Sequence, residues 1–136
     1  MALLDFHEYV SAAIDSKKHV IGIFIDLQKA FDTIDHSILL QKLYHYGFRG
    51  QVLSWLKSYL SDRQQYVLYN NVSSSNKPIT CGVPQGSIRG PLLFILYIND
   101  IISSSNLLYY ILFADDTNLL YSHANILELI KMLIMN

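Results

Sequence analysis

The amino-acid sequence predicts an α+β domain, because helical and strand patterns alternate along the chain without an internal repeat. Hydrophobic residues make up 51% of the 136 residues and charged residues 15%, a composition typical of a packed globular body. The length is that of one domain, so we expect a single domain over residues 1–136.

The first elements follow from residue spacing. Residues 3–16 carry apolar side chains at helical spacing, and the β-branched apolar run at residues 19–25 predicts a buried strand that ends at Asp26. Asp35 is expected to cap a helix over residues 36–46, because aspartate is a preferred residue before the first helical turn.

The middle of the chain mixes elements with polar connections. Residues 52–60 repeat the helical pattern, and residues 64–69 predict a short strand. The polar residues 70–77 predict a loop, and residues 79–83 a returning strand. Residues 84–91 are rich in Gly and Pro and predict no regular element.

The last third is the most apolar part of the chain. Residues 92–102 are apolar nearly all round, which predicts a buried helix. Residues 107–113 and 117–121 predict two strands joined across Ala114-Asp115-Asp116, and residues 126–133 predict a final helix.

Charge and cysteine content narrow the classes of function. Ten Lys and Arg residues stand against eleven Asp and Glu, so composition alone does not suggest nucleic acid as a partner. The single Cys81 excludes an internal disulfide and a cysteine-based zinc site. The longest apolar runs, residues 91–98 and 107–114, are shorter than the ~18–20 residues of a membrane-spanning helix. We therefore expect no membrane partner.

Three aspartates are candidates for chemistry. Asp26 taken alone is more typical of an ordinary strand end, and Asp115 with Asp116 of a solvated turn. Adjacent carboxylates between apolar strands are costly, however, unless a cation compensates them. If the strand ending at Asp26 lies beside the hairpin, three hard oxygen ligands meet at one edge of a sheet. Such ligands suit Mg²⁺, and two ions roughly 4 Å apart can activate a 3′-hydroxyl.

The loop at residues 82–87, Gly-Val-Pro-Gln-Gly-Ser, is a further candidate. Glycine lets a backbone approach a ligand closely, and Gln85 offers both a donor and an acceptor. A plain connection between a strand and a helix is an equally good interpretation of this segment by itself.

Several motifs, in the correct order, resemble those of the reverse transcriptases of LINE-type non-LTR retrotransposons. Residues 24–36 (FIDLQKAFDTIDH) are similar to the first catalytic motif of that family. Residues 82–94 resemble its template-and-nucleotide loop and the following helix. Residues 113–117 (FADDT) resemble its aspartate-pair box, with Phe where Tyr is common. Residues 55–63 and 97–100 add to the likeness, which covers nearly the whole chain.

The resemblance implies a polymerase palm, with a small antiparallel sheet packed on helices, partial fingers and no thumb. It implies an RNA-directed DNA polymerase that adds deoxynucleotides to a primer 3′-hydroxyl by two-metal phosphoryl transfer. The catalytic and metal-binding residues would be Asp26, Asp115 and Asp116, with two Mg²⁺ ions as cofactors and Mn²⁺ as an alternative.

The resemblance also implies substrate-binding residues. The backbone at Leu27 and Gln28 would face the incoming triphosphate, and Phe31 would be the steric gate that excludes a ribose 2′-hydroxyl. Gln85 and Gly86 would pack against the nascent base pair and template. In contrast, Asp32, Asp35 and His36 are expected to be structural residues around a helix start.

The implied partners are an RNA template, a DNA primer and deoxynucleoside triphosphates, and the implied location is the nucleus or the cytoplasm. Arg89 departs from the family, which usually has an aliphatic residue between Ser87 and Gly90. The chain also lacks the family's upstream fingers strands, primer-gripping hairpin and thumb, so we expect it to be truncated at both ends relative to the family. The strongly basic surfaces would then lie on the missing segments of the parent polyprotein.

Two other interpretations remain open. The chain could be a catalytically silent palm remnant of a retrotransposon. Alternatively, the same palm could serve an RNA-templated RNA polymerase or a nucleotide cyclase. Phe31 argues against RNA synthesis, and the Pro84–Ser87 loop argues against a cyclase.

Overall fold

The computed structural model describes residues 2–135, and its contacts divide the chain into two compact units. The first, the sheet unit, comprises the residues up to Gln28 and those from Ile101 onward, and the second, the helical unit, comprises Lys29–Asp100. Helices and small antiparallel sheets occur together, which confirms the predicted α+β class.

The elements are, in chain order, α1 (Ala2–Asp15), β1 (His19–Asp26), α2 (His36–His45), α3 (Gly50–Leu60), β2 (Gln64–Gln65), β3 (Leu68–Tyr69), β4 (Val72–Ser73), β5 (Lys77–Pro78), α4 (Arg89–Ile98), β6 (Tyr109–Phe113), β7 (Asp116–His123) and α5 (Ile126–Met135). Short 3₁₀ turns cover Ala30–Asp32 and Asn99–Ser103. None of the helices within residues 2–135 has both the length and the hydropathy needed to cross a membrane.

The sheet unit is built on three antiparallel strands in the order β1-β7-β6, so β7 is the central strand. Helix α1 packs on one face, where Tyr9 stacks on Tyr109 with 4.8 Å between ring centroids and donates a hydrogen bond to Ser122. Helix α5 packs on the other face, where Leu129 is buried beside Leu119. The three-stranded sheet is therefore covered by one helix on each of its two faces.

The helical unit has a leucine core. Leu39 and Leu43 of α2, Leu56 and Leu60 of α3 and Leu93 of α4 are all buried, at the helical spacing that the sequence predicts.

Asp35 caps α2, as predicted, and its carboxylate accepts hydrogen bonds from the Ser37 hydroxyl and from the backbone N–H groups of Ser37 and Ile38. These bonds, the Ser37 hydroxyl first, hold the pKa of Asp35 below its ordinary value.

The prediction for residues 64–83 was wrong in detail. Two short hairpins replace one strand and a loop: β2 pairs with β5, and β3 pairs with β4 inside the segment predicted as a polar loop. The reversal falls on Asn70 and Asn71, with φ of 46° and 60°. Asparagine tolerates this left-handed backbone, so a tight turn forms within a polar stretch.

The returning strand is also shorter than predicted and lies earlier, at Lys77–Pro78 instead of residues 79–83. The N–H of Gly82 donates to the Ile34 carbonyl, and that of Val83 donates to the Phe31 carbonyl. Residues 82 and 83 therefore pair with the segment after β1, and this long-range partner has no local signal in the sequence.

Two predictions of full burial were also wrong. The Phe24 side chain of β1 is 67% exposed, and Leu92 and Ile95 of α4 are exposed while Leu93 and Phe94 are buried. A sheet of three strands with one helix on each face leaves the end of an edge strand uncovered. Helix α4 also begins at Arg89, within the segment predicted to be irregular, and ends at Ile98.

Candidate active site

The candidate site begins with the pairing of strands in the sheet unit. The β1–β7 register places Asp26 opposite Asp116, and the β6–β7 register places Phe113 opposite Asp116. Ala114 and Asp115 are therefore the two residues of the turn, and Asp116 belongs to β7 itself. Asp26, Asp115 and Asp116 all lie at the same end of the sheet.

The turn has an unusual backbone. Ala114 has φ of 51°, a value that L-residues with a Cβ rarely adopt and that glycine usually supplies at this position of a two-residue hairpin. Directly opposite residues of an antiparallel pair project their side chains to the same face. The carboxylates of Asp26 and Asp116 are thus neighbours, and Asp115 follows the strained residue.

The donor set fits Mg²⁺ in its chemistry. Asp26 and Asp116 are exposed and Asp115 is half-buried, so solvent reaches all three residues. Within residues 2–135, no three or more His, Cys, Asp or Glu side chains are placed so that they could hold a metal ion together, which leaves the opposed pair Asp26 and Asp116 as the nearest approach to a donor set. This arrangement is compatible with Mg²⁺, which usually takes one or two carboxylates and completes its shell with water and substrate phosphate.

A groove of about 330 Å³ lies beside Asp116, between the start of α1 and the sheet. Its walls are mainly apolar, with Phe6, Phe24 and Phe113 on the sides and Asp116 and Asn118 as polar groups. The carboxylate of Asp116 therefore borders an apolar groove large enough for a flat ring.

Leu27 and Gln28 follow Asp26 directly, after the last residue of β1. Leu27 is half-buried and Gln28 is exposed. Their backbone lies outside the strand ladder. The contact of this backbone with a triphosphate stays a prediction.

The other predicted substrate residues lie in the helical unit, around the 3₁₀ turn at Ala30–Asp32. Phe31 packs against Phe94 with 4.7 Å between ring centroids, and its carbonyl accepts from the Val83 N–H at 2.8 Å. The aromatic ring and the loop at residues 82–87 are therefore held together as one local structure.

The loop itself is tightly built. A Cβ on Gly82 would lie 2.8 Å from the Asp32 Cα, and Gly82 has φ of 84°. Gln85 is exposed and donates from Nε2 to Asp32 Oδ1 at 2.8 Å, and Gly86 has φ of 79° with open space around it. His36, the first residue of α2, has its Nε2 2.7 Å from the Gly82 carbonyl oxygen.

A cavity of about 680 Å³ opens beside Gln85 in the same unit. Lys29, Asp32 and Arg63 line it together with residues 78–85. Sequence reasoning missed Lys29 and Arg63, and it assigned Asp32 only a structural role. Lys29 and Arg63 lie within or next to family motifs, and this was only a weak signal of a functional role. Arg63 comes close to the loop at residues 82–87 only when the chain folds.

The chain matches the family model described as reverse transcriptase (RNA-dependent DNA polymerase) over residues 2–135. It is 40% identical over 88 residues to the RNA-directed DNA polymerase from mobile element jockey of Drosophila melanogaster, which covers 65% of this chain and 10% of that protein. It is 34% identical over 122 residues to the probable RNA-directed DNA polymerase from transposon BS of the same species, covering 85% of this chain and 13% of the relative.

A third relative, the probable RNA-directed DNA polymerase from transposon X-element of Drosophila melanogaster, is 36% identical over 118 residues, covering 84% of this chain and 13% of the relative. The chain thus spans only about a tenth of the length of these curated relatives. These matches confirm the resemblance to non-LTR retrotransposon enzymes predicted from the motifs. The chain belongs to the reverse transcriptase (RNA-dependent DNA polymerase) family.

Proposed function

We propose that the chain is the palm portion of an RNA-directed DNA polymerase, which adds deoxynucleotides to a primer 3′-hydroxyl. The observation that carries this proposal is the register that sets Asp26 opposite Asp116, with Asp115 in the adjoining turn. Membership of the reverse transcriptase family and the names of the relatives support the reaction class.

Asp26, Asp115 and Asp116 are the proposed ligands of two Mg²⁺ ions, with Mn²⁺ as an alternative. When bound, the ions would activate the attacking hydroxyl and neutralise charge on the leaving pyrophosphate. The chain's contribution is to hold two carboxylates on a paired strand ladder, which restricts their movement. Both residues are exposed.

Phe31 is the proposed steric gate against a ribose 2′-hydroxyl. Its packing against Phe94 supports this role, because a ring held by a second ring resists displacement by one extra oxygen. Leu27 and Gln28 are proposed to present backbone N–H groups to the triphosphate, which carries the negative charge that such groups bind.

Gln85 and Gly86 are the proposed contacts to the nascent base pair and template. The hydrogen bond from Gln85 Nε2 to Asp32 leaves the amide oxygen of Gln85 available to a donor. Gly86 has no side chain to block a base. The proposed partners are an RNA template, a DNA primer and deoxynucleoside triphosphates, together with fingers and thumb segments of a parent polyprotein.

The test is primer extension by the purified chain on a primed RNA template with deoxynucleotides and Mg²⁺. We expect extension that falls at least about a hundredfold in Asp115→Asn, since one charged contact to a transition state is commonly worth ~10²–10³ in rate. Asn71→Asp is the matched control, because it exchanges the same two residue types in the other two-residue turn. We expect it to retain full activity.

No extension above the Asp115→Asn background would contradict the proposal for this chain. The catalytically silent palm remnant would then be the supported interpretation. Equal extension by both variants would instead exclude Asp115 from the site.

A further inference from the structure

The β3–β4 hairpin of the helical unit carries an apolar surface that the polymerase proposal does not use. Four consecutive side chains are between 59% and 73% exposed: Tyr66, Val67, Leu68 and Tyr69. Residues 64–76 contain no Asp, Glu, Lys or Arg. Contiguous exposed apolar side chains of this kind mark an interaction surface. Residues 66–69 are called the β3 edge.

The backbone of the β3 edge has hydrogen-bonding groups that the hairpin leaves unused. The N–H of Val67 donates to Ser74 Oγ at 2.9 Å, and the Val67 carbonyl accepts from the Ser74 N–H at 2.9 Å, so both groups of Val67 point towards β4. Successive residues of a strand direct these groups to opposite sides. The N–H and C=O groups of Tyr66 and Leu68 therefore point away from β4. In the part of the chain that the structure describes, β3 pairs with no strand other than β4.

The two edges of the hairpin differ in how well they resist pairing with another chain. An unpaired edge is a template for a further strand, and proteins commonly protect such an edge with Lys or Pro. The edge formed by β4 and β5 carries Lys77 and Pro78. The β3 edge carries neither a charge nor a proline. The β3 edge is thus the side of the hairpin that is suited to pairing.

We propose that two copies of this chain form a dimer in which their β3 edges pair antiparallel about a two-fold axis at Val67. Tyr66 and Leu68 lie on either side of Val67, so Tyr66 of each copy is opposite Leu68 of the other. Opposite residues of this kind exchange their N–H···O=C bonds, so the outward-pointing groups of Tyr66 and Leu68 are all satisfied at once. Val67 faces Val67 of the second copy and needs no further backbone bond.

A second copy fits the β3 edge in charge and in side chains. Because the edge is uncharged, two copies approach without the repulsion that like charges cause between neighbouring strands. The pairing brings Tyr66 against Leu68, and an aromatic side chain next to an aliphatic one stabilises a pair of strands. A closed two-fold dimer also uses the same surface on both copies, so it leaves no open β3 edge.

The area of the β3 edge is consistent with a reversible dimer. Its exposed surface is about 500 Å² per copy, given about 150–250 Å² for a whole aromatic side chain. Covering the edge on both copies buries about 1,000 Å², which is the lower end for a specific interface. We therefore expect a dissociation constant of about 10–100 μM. The inference goes beyond the proposed function, because it requires neither the three aspartates nor Mg²⁺.

Sedimentation equilibrium of the purified chain from about 1 to 500 μM measures the dimer. Val67→Lys places two ammonium groups opposite each other at the axis, so we expect dimerisation at least about tenfold weaker. Val72→Lys is the matched control, because it makes the same exchange on β4, where Val72 is 71% exposed. Its effect should stay within about threefold. Circular dichroism checks that both variants fold.

Cross-linking locates the axis independently of affinity. The only cysteine is replaced by Cys81→Ser, and Val67→Cys is added and mildly oxidised. At a position of this kind the two Cα atoms lie about 4.5 Å apart, within reach of a disulfide, so we expect a dimer that reductant reverses. Val72→Cys in the same background is the control. Its two copies would be about three strand spacings apart, roughly 14 Å, which no disulfide spans, and it should stay monomeric.

Several outcomes would overturn the proposal. The chain could stay monomeric over the whole concentration range, or folded Val67→Lys could dimerise as tightly as the original chain. Equal cross-linking of Val67→Cys and Val72→Cys, or assemblies larger than a dimer, would assign the association to a different contact. Primer extension enters none of these measurements, so the dimer and the polymerase proposal fail separately.

Discussion

Two hairpins of this chain reverse direction over two residues, and the conformational free-energy cost of the turn differs between them. The asparagine hairpin, β3–β4, turns on Asn70 and Asn71, which both tolerate a positive φ, and its strands have two residues each. The aspartate hairpin, β6–β7, turns on Ala114 and Asp115, with φ of 51° at Ala114, and its strands have five and eight residues.

The aspartate hairpin carries further unfavourable features. Asp116 faces Asp26 across the ladder, and the Thr117 hydroxyl is buried without a hydrogen-bond partner in the described part of the chain. The backbone hydrogen bonds of its long paired strands offset the free-energy cost of these features. The asparagine hairpin has short strands, but its turn carries little such cost. Unfavourable features concentrated at one turn are typical of a site under functional selection.

The largest expected effect on stability is at Thr117, which is 1% exposed. Thr117→Val keeps the shape and removes the unpaired hydroxyl, so we expect the free energy of unfolding to rise by about 1–2 kcal/mol. Urea denaturation measures this. The exposed Thr80→Val is the control, with an expected change within about 0.5 kcal/mol. A loss of stability in Thr117→Val would show that the hydroxyl has a partner such as a buried water.

A smaller effect is expected at the turn. Ala114→Gly relieves the left-handed backbone, which costs ~1–2 kcal/mol for a residue with a Cβ, but it also adds freedom to the unfolded chain. We expect a net stabilisation of about 0.5–1 kcal/mol in the same denaturation experiment. Asn71→Gly should change stability by less than this, because asparagine already tolerates its φ of 60°. Equal effects at the two turns would remove the contrast between them.

The smallest effect concerns the opposed carboxylates. Asp116→Asn in EDTA should stabilise the chain by about 0.5 kcal/mol, because like charges directly opposite on neighbouring strands are destabilising. Millimolar Mg²⁺ should raise the Tm of the original chain and leave that of the variant nearly unchanged. The exposed Glu8→Gln supplies the control for a general charge effect. Equal responses to Mg²⁺ would argue against a metal site at Asp116.

Much of the fold was predictable because its signals are local. The spacing of apolar residues predicts α1, α2 and α3 nearly to their ends, and Asp35 caps α2 as expected. The hairpin at Asn70-Asn71 was missed because its strands are too short to show alternation. The burial of β1 and α4 was overestimated, since hydrophobicity alone does not report which faces a small unit can cover.

The candidate site also has one part that local sequence signals predict and another part that they do not. The order of the motifs was enough to name Asp26, Asp115, Asp116, Phe31 and Gln85 as candidate site residues, and these assignments stay predictions. The hydrogen bond between Gln85 and Asp32 could not be predicted, because the two residues are distant in sequence and the contact exists only after the loop folds back.

By itself, then, the sequence determined helices α1 to α3, the aspartate hairpin and membership of the family, because each depends on residues within one element or one motif. Only the tertiary structure decided that Asp26 faces Asp116 and that Arg89 rests on Trp55. Strand register and ring stacking depend on segments that are far apart in the chain. Their pairing is chosen by the free energy of the packed whole, which no local pattern encodes.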